Sequence, residues 1–220
     1  MRFQDAAPDA RAIVYAGIQA DPLVARLADL LADATPAQCV LARAVMNGER
    51  TDPAVWRAMA PACFPDERSE AILAASLAVA ERGEQVRSQF RGAVVEAVTQ
   101  VLLRRRTVRP GPAAVRRERR ILFDGVRAEI HPYDVTVEVV GAAEAYDCKW
   151  GARGINADVL DQLDDARAHA ADEEESLLVA LVVFDTALAA EVRLDRQTAR
   201  HDATRLVTIE TLHALGERRP

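Results

Sequence analysis

The chain of 220 residues contains no uninterrupted apolar run of about 18 residues, the length a helix needs to cross a bilayer. That absence predicts a protein with no transmembrane helix and no place in a membrane. The first residues, MRFQDAAPDARAIV, carry acids where a secretory leader would need an apolar stretch. Cysteine is scarce. Cys39, Cys63 and Cys148 are far apart and odd in number, which excludes both a disulfide framework and a zinc-ligand pattern. The setting expected from these absences is reduced and cytoplasmic. An excess of positive charge is also missing: the formal net charge is −6, which argues against a protein that coats nucleic acid.

What is present is apolar material for a sizeable core, 50% of the residues, in a length that suits one domain with a helical extension. The charge is unevenly spread. Residues 101–120 hold Arg104, Arg105, Arg106, Arg109, Arg116, Arg117, Arg119 and Arg120 against one acid, Glu118. A basic patch on an acidic protein points to a defined polyanion contact, and a solvated charge run in a flexible loop is the alternative reading.

Residues 1–84 read as helical. Leu23, Val24, Leu27, Leu30 and Leu31 recur at helical spacing behind Asp21-Pro22, a good helix start. Further helices are expected over Pro36 to Met46, after Thr51-Asp52-Pro53, and over Asp66 to Arg82, with Pro61 and Pro65 breaking the chain between the last two. No basic recognition helix stands out, so this region is expected to pack, to dimerise or to bind a protein partner rather than to read DNA.

From Gly83, a plausible hinge, residues 85–220 form the second region. A strong helix is expected from Gln85 to about Arg106, with Phe90, Val94, Val98, Val101 and Leu102 as its apolar stripe. Glu96 lies off that stripe, and helix physics alone reads it as a surface residue. Thr107 to Val115, with Pro110-Gly111-Pro112, reads as a loop. Arg120 to Phe123 reads as a short strand, Asp124-Gly125 as a hairpin turn, and Val126 to Ile130 as extended. Tyr133 to Val140 and Glu144 to Trp150 read as strands joined by a turn at Gly141. Asn156 can cap a helix to about Ala171. The apolar run Leu177 to Phe184 predicts a central strand covered on both faces. A helix from Thr186, a strand at Leu206 to Ile209 and a last helical turn follow. The order is helix, antiparallel strands, helix, buried strand, helix, strand, which is an α/β sandwich with a mixed central sheet.

The chemistry gathers at residues 134–149. On a strand of period two, Asp147 and Lys149 point to one face. Paired with the strand carrying Asp134, they place two carboxylates and an ammonium together. That is the polar set of a divalent-metal site for phosphodiester hydrolysis. Asp134 and Asp147 are the expected ligands, with the backbone carbonyl of Cys148 as a third, for Mg²⁺ or Mn²⁺. Lys149 can orient or deprotonate water, or stabilise charge developing on phosphorus. A surface ion pair is the plain alternative for any acid and lysine two apart. Glu129 is a rival to Asp134 should the register differ, and His131 adjoins the site, with a structural role the commoner one. Arg153 is a candidate phosphate contact. Tyr146 and Trp150 read as core.

This set, and the order of elements around it, resembles the PD-(D/E)XK nuclease superfamily, whose restriction-endonuclease-like core is α-β-β-β-α-β. The resemblance covers roughly residues 85–210. It maps the family's first acid to Asp134 and its Asp/Glu-x-Lys to Asp147-Cys148-Lys149. It makes Glu96 the glutamate of the helix before the sheet, and Gln162 the glutamine on the helix after the lysine strand. The family's Pro-Asp pair appears here as Pro132-Tyr133-Asp134, with one residue inserted. The resemblance implies a metal-dependent nuclease acting on DNA, in defence against foreign DNA or in repair, with the arginine-rich segment guiding the phosphate backbone. RNA cleavage is an alternative, and so is a non-catalytic protein that kept the fold and binds nucleic acid or a partner.

Overall fold

The computed structural model describes residues 1–7, 10–48, 51–107, 114–124, 126–127, 131–139, 142–197 and 205–217. It forms two compact units: Asp9–Val101, all helical, and Met1–Pro8 with Leu102–Pro220, which holds the sheet.

The helical unit contains α1 (Ala10–Gln19), α2 (Pro22–Ala32), α3 (Pro36–Asn47), α4 (Pro53–Cys63), α5 (Glu67–Ala80) and most of α6 (Glu84–Arg106). Its helix starts follow from the sequence. The side chains of Asp21, Thr35, Asp52 and Asp66 each accept a backbone N–H in the first turn, and Thr35 forms a reciprocal box with Gln38. Each such cap stabilises its helix by about 1 kcal/mol. Leu41, Val45, Ala60, Leu73 and Leu77 form a buried cluster with Trp56 and Phe64 against it. One expectation is corrected here. Pro61 does not break the chain; α4 runs past it to Cys63, and the helix ends at Phe64, just before Pro65. Near a helix C-terminus a proline forfeits one hydrogen bond without stopping the last residues.

The expected boundary at 84–85 coincides with the first residue of α6, and this helix stays with the helical unit as far as Val101. The reading of residues 1–84 as wholly helical is corrected at its start. Arg2–Asp5 is a strand, β1, pairing antiparallel with a strand of the sheet unit.

The sheet unit holds β2 (Ala114–Phe123), β3 (Val126–Arg127), β4 (Tyr133–Val139), β5 (Ala142–Lys149), β6 (Ser176–Val183) and β7 (Arg205–Val207), with α7 (Ala157–Asp172) and α8 (Ala187–Leu194). The strand order is β1-β2-β4-β5-β6-β7, with β3 paired to β2. Strands β1 to β5 are antiparallel, and β5, β6 and β7 are parallel. This is a mixed α/β architecture. Asp124, which follows β2, has φ 43, the left-handed conformation that suits a hairpin turn. Gly125 and Gly141 lie outside the described residues. Parallel β5 and β6 need a crossover, and α7 supplies it, capped by Asn156 as its sequence implies. Every residue from Val179 to Val183 is buried, as the apolar run requires. One face of the sheet packs on α7 and α8 through Ile121, Phe123, Tyr133, Ala145, Leu181 and Leu163.

The largest departure lies in β2. The strand expected to start at Arg120 begins at Ala114, so Arg116, Arg117, Arg119 and Arg120 stand on a ten-residue strand and not in a loop. Ladder pairing with both β1 and β4 decides this against the local charge repulsion of the run.

Candidate functional site

Three acids fall level with one another on adjacent strands. Arg117 pairs with Val135 and Arg119 with Tyr133, so Glu118 stands opposite Asp134. Val135 pairs with Tyr146, so the next position along sets Asp134 opposite Asp147. Carboxylate oxygens of Glu118 and Asp134 lie within 4.8 Å of each other. Like charges directly opposed across strands destabilise a sheet. A row of three is a costly arrangement, which marks these positions as a candidate site.

The backbone there is irregular. Ile121 and Phe123 belong to the core against α7, and so does Tyr133, whose hydroxyl donates to the Gln162 carbonyl at 3.3 Å. Strand alternation puts Arg119 on that face with them. Two residues away, Val135 shares the face of its partner Tyr146, opposite to that of Ala145 in the α7 core. Arg117, paired with Val135, takes that opposite face too. Both strands therefore change face at the same level, at Glu118 and Asp134. Glu118 has φ 53, a left-handed conformation that a β-region residue does not adopt, and this provides the turn-over in β2.

Asp134 is held in place by β5. Its Oδ2 accepts the Cys148 N–H at 2.6 Å. In an extended strand a residue's N–H and C=O leave on the same side. The Cys148 carbonyl therefore also faces the Asp134 side, beyond the last β4–β5 pair, whereas the Lys149 carbonyl accepts from Phe184 toward β6 at 2.8 Å. Lys149 Nζ lies 2.6 Å from Asp147 Oδ2, and Asp147 is 6% exposed. Burial works to lower the pKa of the Lys149 ammonium. The Asp147 and Asp134 carboxylates outweigh that and hold it above the ordinary lysine value. Lys149 is thus a cation at neutral pH, a group that stabilises negative charge and not a ready base.

Gly154, in the 3-10 turn Ala152–Gly154, leaves room for that lysine. A Cβ on Gly154 would sit 2.9 Å from Lys149 Cβ and 3.0 Å from its Cγ and Cδ. Gly154→Ala is thus expected to displace Lys149 from its place beside Asp147. A shifted Lys149 side-chain NMR signal in the variant checks this, and an unchanged one would show that the 3-10 turn yields instead.

Gln162 serves this region differently from what the resemblance implies. It is buried, its Oε1 accepts the His131 N–H and its Nε2 donates to the His131 carbonyl, both at 3.1 Å. Its amide ties α7 to the segment entering β4, which makes it a positioning residue for Asp134. Gln162→Leu removes both bonds and is expected to destabilise the protein by about 1 kcal/mol, read as a lower urea midpoint. His131 itself is exposed.

Other candidates are placed as follows. Glu96 belongs to the helical unit and, contrary to the surface reading, is buried; Tyr15 donates to one carboxylate oxygen and Gln19 to the other at 2.7 Å. Helix α6 is covered on every side from Ala93 to Gln100, which the stripe alone did not predict. Arg106 pairs with Glu144 at 2.6 Å, and Arg119 with Glu138 at 2.7 Å and with Asp5. Those two arginines hold the unit together. Arg104, Arg105, Arg116 and Arg153 are exposed, and Arg117 and Arg120 are partly buried. Arg109 and Glu129 lie outside the described residues. Burial, with Glu144 beside it, pushes the Tyr146 hydroxyl up to about 12, so it stays a donor to Glu144. Trp150 stacks on Phe184 at 5.1 Å, consistent with a packing role. Glu118 was missed by the sequence reading. Its only sequence mark is being the one acid in a basic run, and its juxtaposition with Asp134 depends on register.

No family model matches the chain, and no curated protein matches it. Among solved structures, the crystal structure of protein VC1899 from Vibrio cholerae is similar at 14% identity and a TM-score of 0.49. The match covers 98% of this chain and 56% of that one, so the chain spans little more than half the length of that protein. A likeness at that score does not separate a shared fold from shared layer packing.

Proposed function

We propose that the sheet unit is a divalent-cation-dependent nuclease of the restriction-endonuclease-like type, hydrolysing DNA phosphodiester bonds. The observation that carries the reading is the convergence of Asp134, Asp147 and Lys149 beside Glu118 at one level of β2, β4 and β5. The succession α6, β2, β3, β4, β5, α7, β6 supports it, because with the two-residue β3 set aside as an addition to β2 it follows the α-β-β-β-α-β order of that core.

The donors fit a hard cation such as Mg²⁺ or Mn²⁺. They are carboxylates of Asp134, Asp147 and Glu118 and the Cys148 carbonyl, all oxygens, with no imidazole among them. When bound, such an ion would supply an activated water and neutralise charge on the phosphate. The chain's own residues do the rest. The Cys148 N–H fixes the Asp134 carboxylate, Asp147 anchors the Lys149 ammonium, and that ammonium faces the negative charge that grows on phosphorus. Exposed Arg104, Arg116 and Arg153 provide phosphate contacts, and the helical unit provides a surface for a partner or a second copy.

The test is cleavage of linear, circular, branched and single-stranded DNA and of a matched RNA, with and without Mg²⁺ or Mn²⁺. Cleavage that needs the metal and falls about 100-fold in Lys149→Ala is expected. Cleavage of RNA alone would move the substrate. Full activity in Lys149→Ala would show that the site is elsewhere, and nucleic-acid binding without any cleavage would favour the non-catalytic alternative.

A further inference from the structure

Strands β5 and β6 run parallel, so Lys149 and Val183 lie together at the carboxylate end and Ala142 and Ser176 at the other. The two ends are separated by about 23 Å of strand. At the far end lies a cavity of about 380 Å³, lined by Arg167, Arg205, Ser176, Glu144, Leu177 and Val179 among others. Its size lies within the range of small-molecule sites, roughly 300–1,000 Å³.

The polar groups on its wall are unevenly satisfied. Arg167, from α7, donates through Nη2 to Asp164 at 2.8 Å, while its Nη1 is buried with no hydrogen bond. Arg205, the first residue of β7, has no hydrogen-bond or ion-pair partner among the described residues. The acid on the wall is already neutralised, because Glu144 accepts from Arg106 at 2.6 Å and from the Tyr146 hydroxyl. The Arg205 guanidinium therefore keeps its donors available to an anion.

We propose that this cavity binds a small organic molecule bearing a phosphate group. Arg205, Arg167 and Ser176 are among the lining residues, and together their side chains offer more donors than the two oxygens of a carboxylate can use. A phosphate monoester presents three terminal oxygens to them. Leu177 and Val179 provide apolar surface for the body that carries the phosphate. The proposal does not depend on the cleavage chemistry: it uses none of the carboxylates and no divalent cation.

The experiment uses the full chain with arginine Nε labelled by ¹⁵N, titrated at constant ionic strength with inorganic phosphate, AMP or a short single-stranded DNA, all in EDTA. Saturable shifts of the Arg167 and Arg205 Nε signals with phosphate, and at lower concentration with AMP, are expected. Arg205→Gln should weaken AMP binding at least about tenfold by calorimetry, a loss in line with removing charge-assisted hydrogen bonds. Arg167→Gln provides a second, independent variant, and circular dichroism verifies that both are folded. Absence of saturation with either small phosphate, or equal affinity in both variants, overturns the proposal. A response to the oligonucleotide alone overturns it too and assigns the cavity to a polymer contact. Because the readout is binding without metal, its failure leaves the cleavage reading untouched.

Discussion

Asp147→Asn is expected to lower metal-dependent cleavage by about 1,000-fold, a loss typical of removing one electrostatic group from a preorganised site. The substitution keeps the shape of the side chain and removes its charge. Two consequences follow from the geometry. The proposed cation site loses one of its oxygen donors, and Lys149 loses the carboxylate 2.6 Å from its ammonium. Burial, which works against the charged lysine, is then opposed chiefly by Asp134. The Lys149 pKa should fall from its raised position, which ¹³C-methylated lysine NMR reads directly. A merely structural ion pair would shift that signal without touching turnover. Cleavage within about threefold of the parent would remove Asp147 from the site.

Glu118 leads to a prediction in which stability and activity separate. Its φ of 53 places a non-glycine residue in the left-handed region within a strand. That conformation costs an L-residue about 1–2 kcal/mol, and glycine avoids the cost. Glu118→Gly and Glu118→Ala both remove the carboxylate that opposes Asp134, but only glycine relieves the backbone. The glycine variant should therefore be more stable than the alanine variant by about 1 kcal/mol, after the extra entropy glycine loses on folding. For a chain of this size that is a difference of about 2–4 °C in Tm. Both variants should cleave on the order of 10- to 100-fold more slowly if Glu118 completes the oxygen donors. Equal stability of the two would mean that the strand relaxes at this position. Unimpaired cleavage in both would confine Glu118 to a structural part. Strain kept at a residue that also carries a costly charge fits the proposed role of Glu118 in the site.

The sequence was informative where a single element decides its own fate. Asp21, Thr35, Asp66 and Asn156 cap the helices their positions imply, since a cap is a contact of two or three residues. The apolar run ending at Phe184 became a buried parallel strand because no other environment accepts such a run in a sheet. It was uninformative where one segment's state depends on another. Arg2–Asp5 carries no strong strand signal, and it is a strand because β2 offers it an edge. The arginine run leaves a polyanion contact and a solvated charge run both open, until Glu138 accepts Arg119 on β2 and Glu144 accepts Arg106 at the end of α6.

At the candidate site the same division holds. The one-face placement of Asp147 and Lys149 is a property of strand period, and the sequence by itself determined it. The turn-over of both strands at Glu118 and Asp134, the hold of the Cys148 N–H on Asp134, and the clamp of Gln162 on His131 join residues far apart in the chain. Only tertiary structure decided these. The physical reason is that register, once fixed by packing of the sheet on α7, sets which acids become neighbours, and local preference carries no information about register.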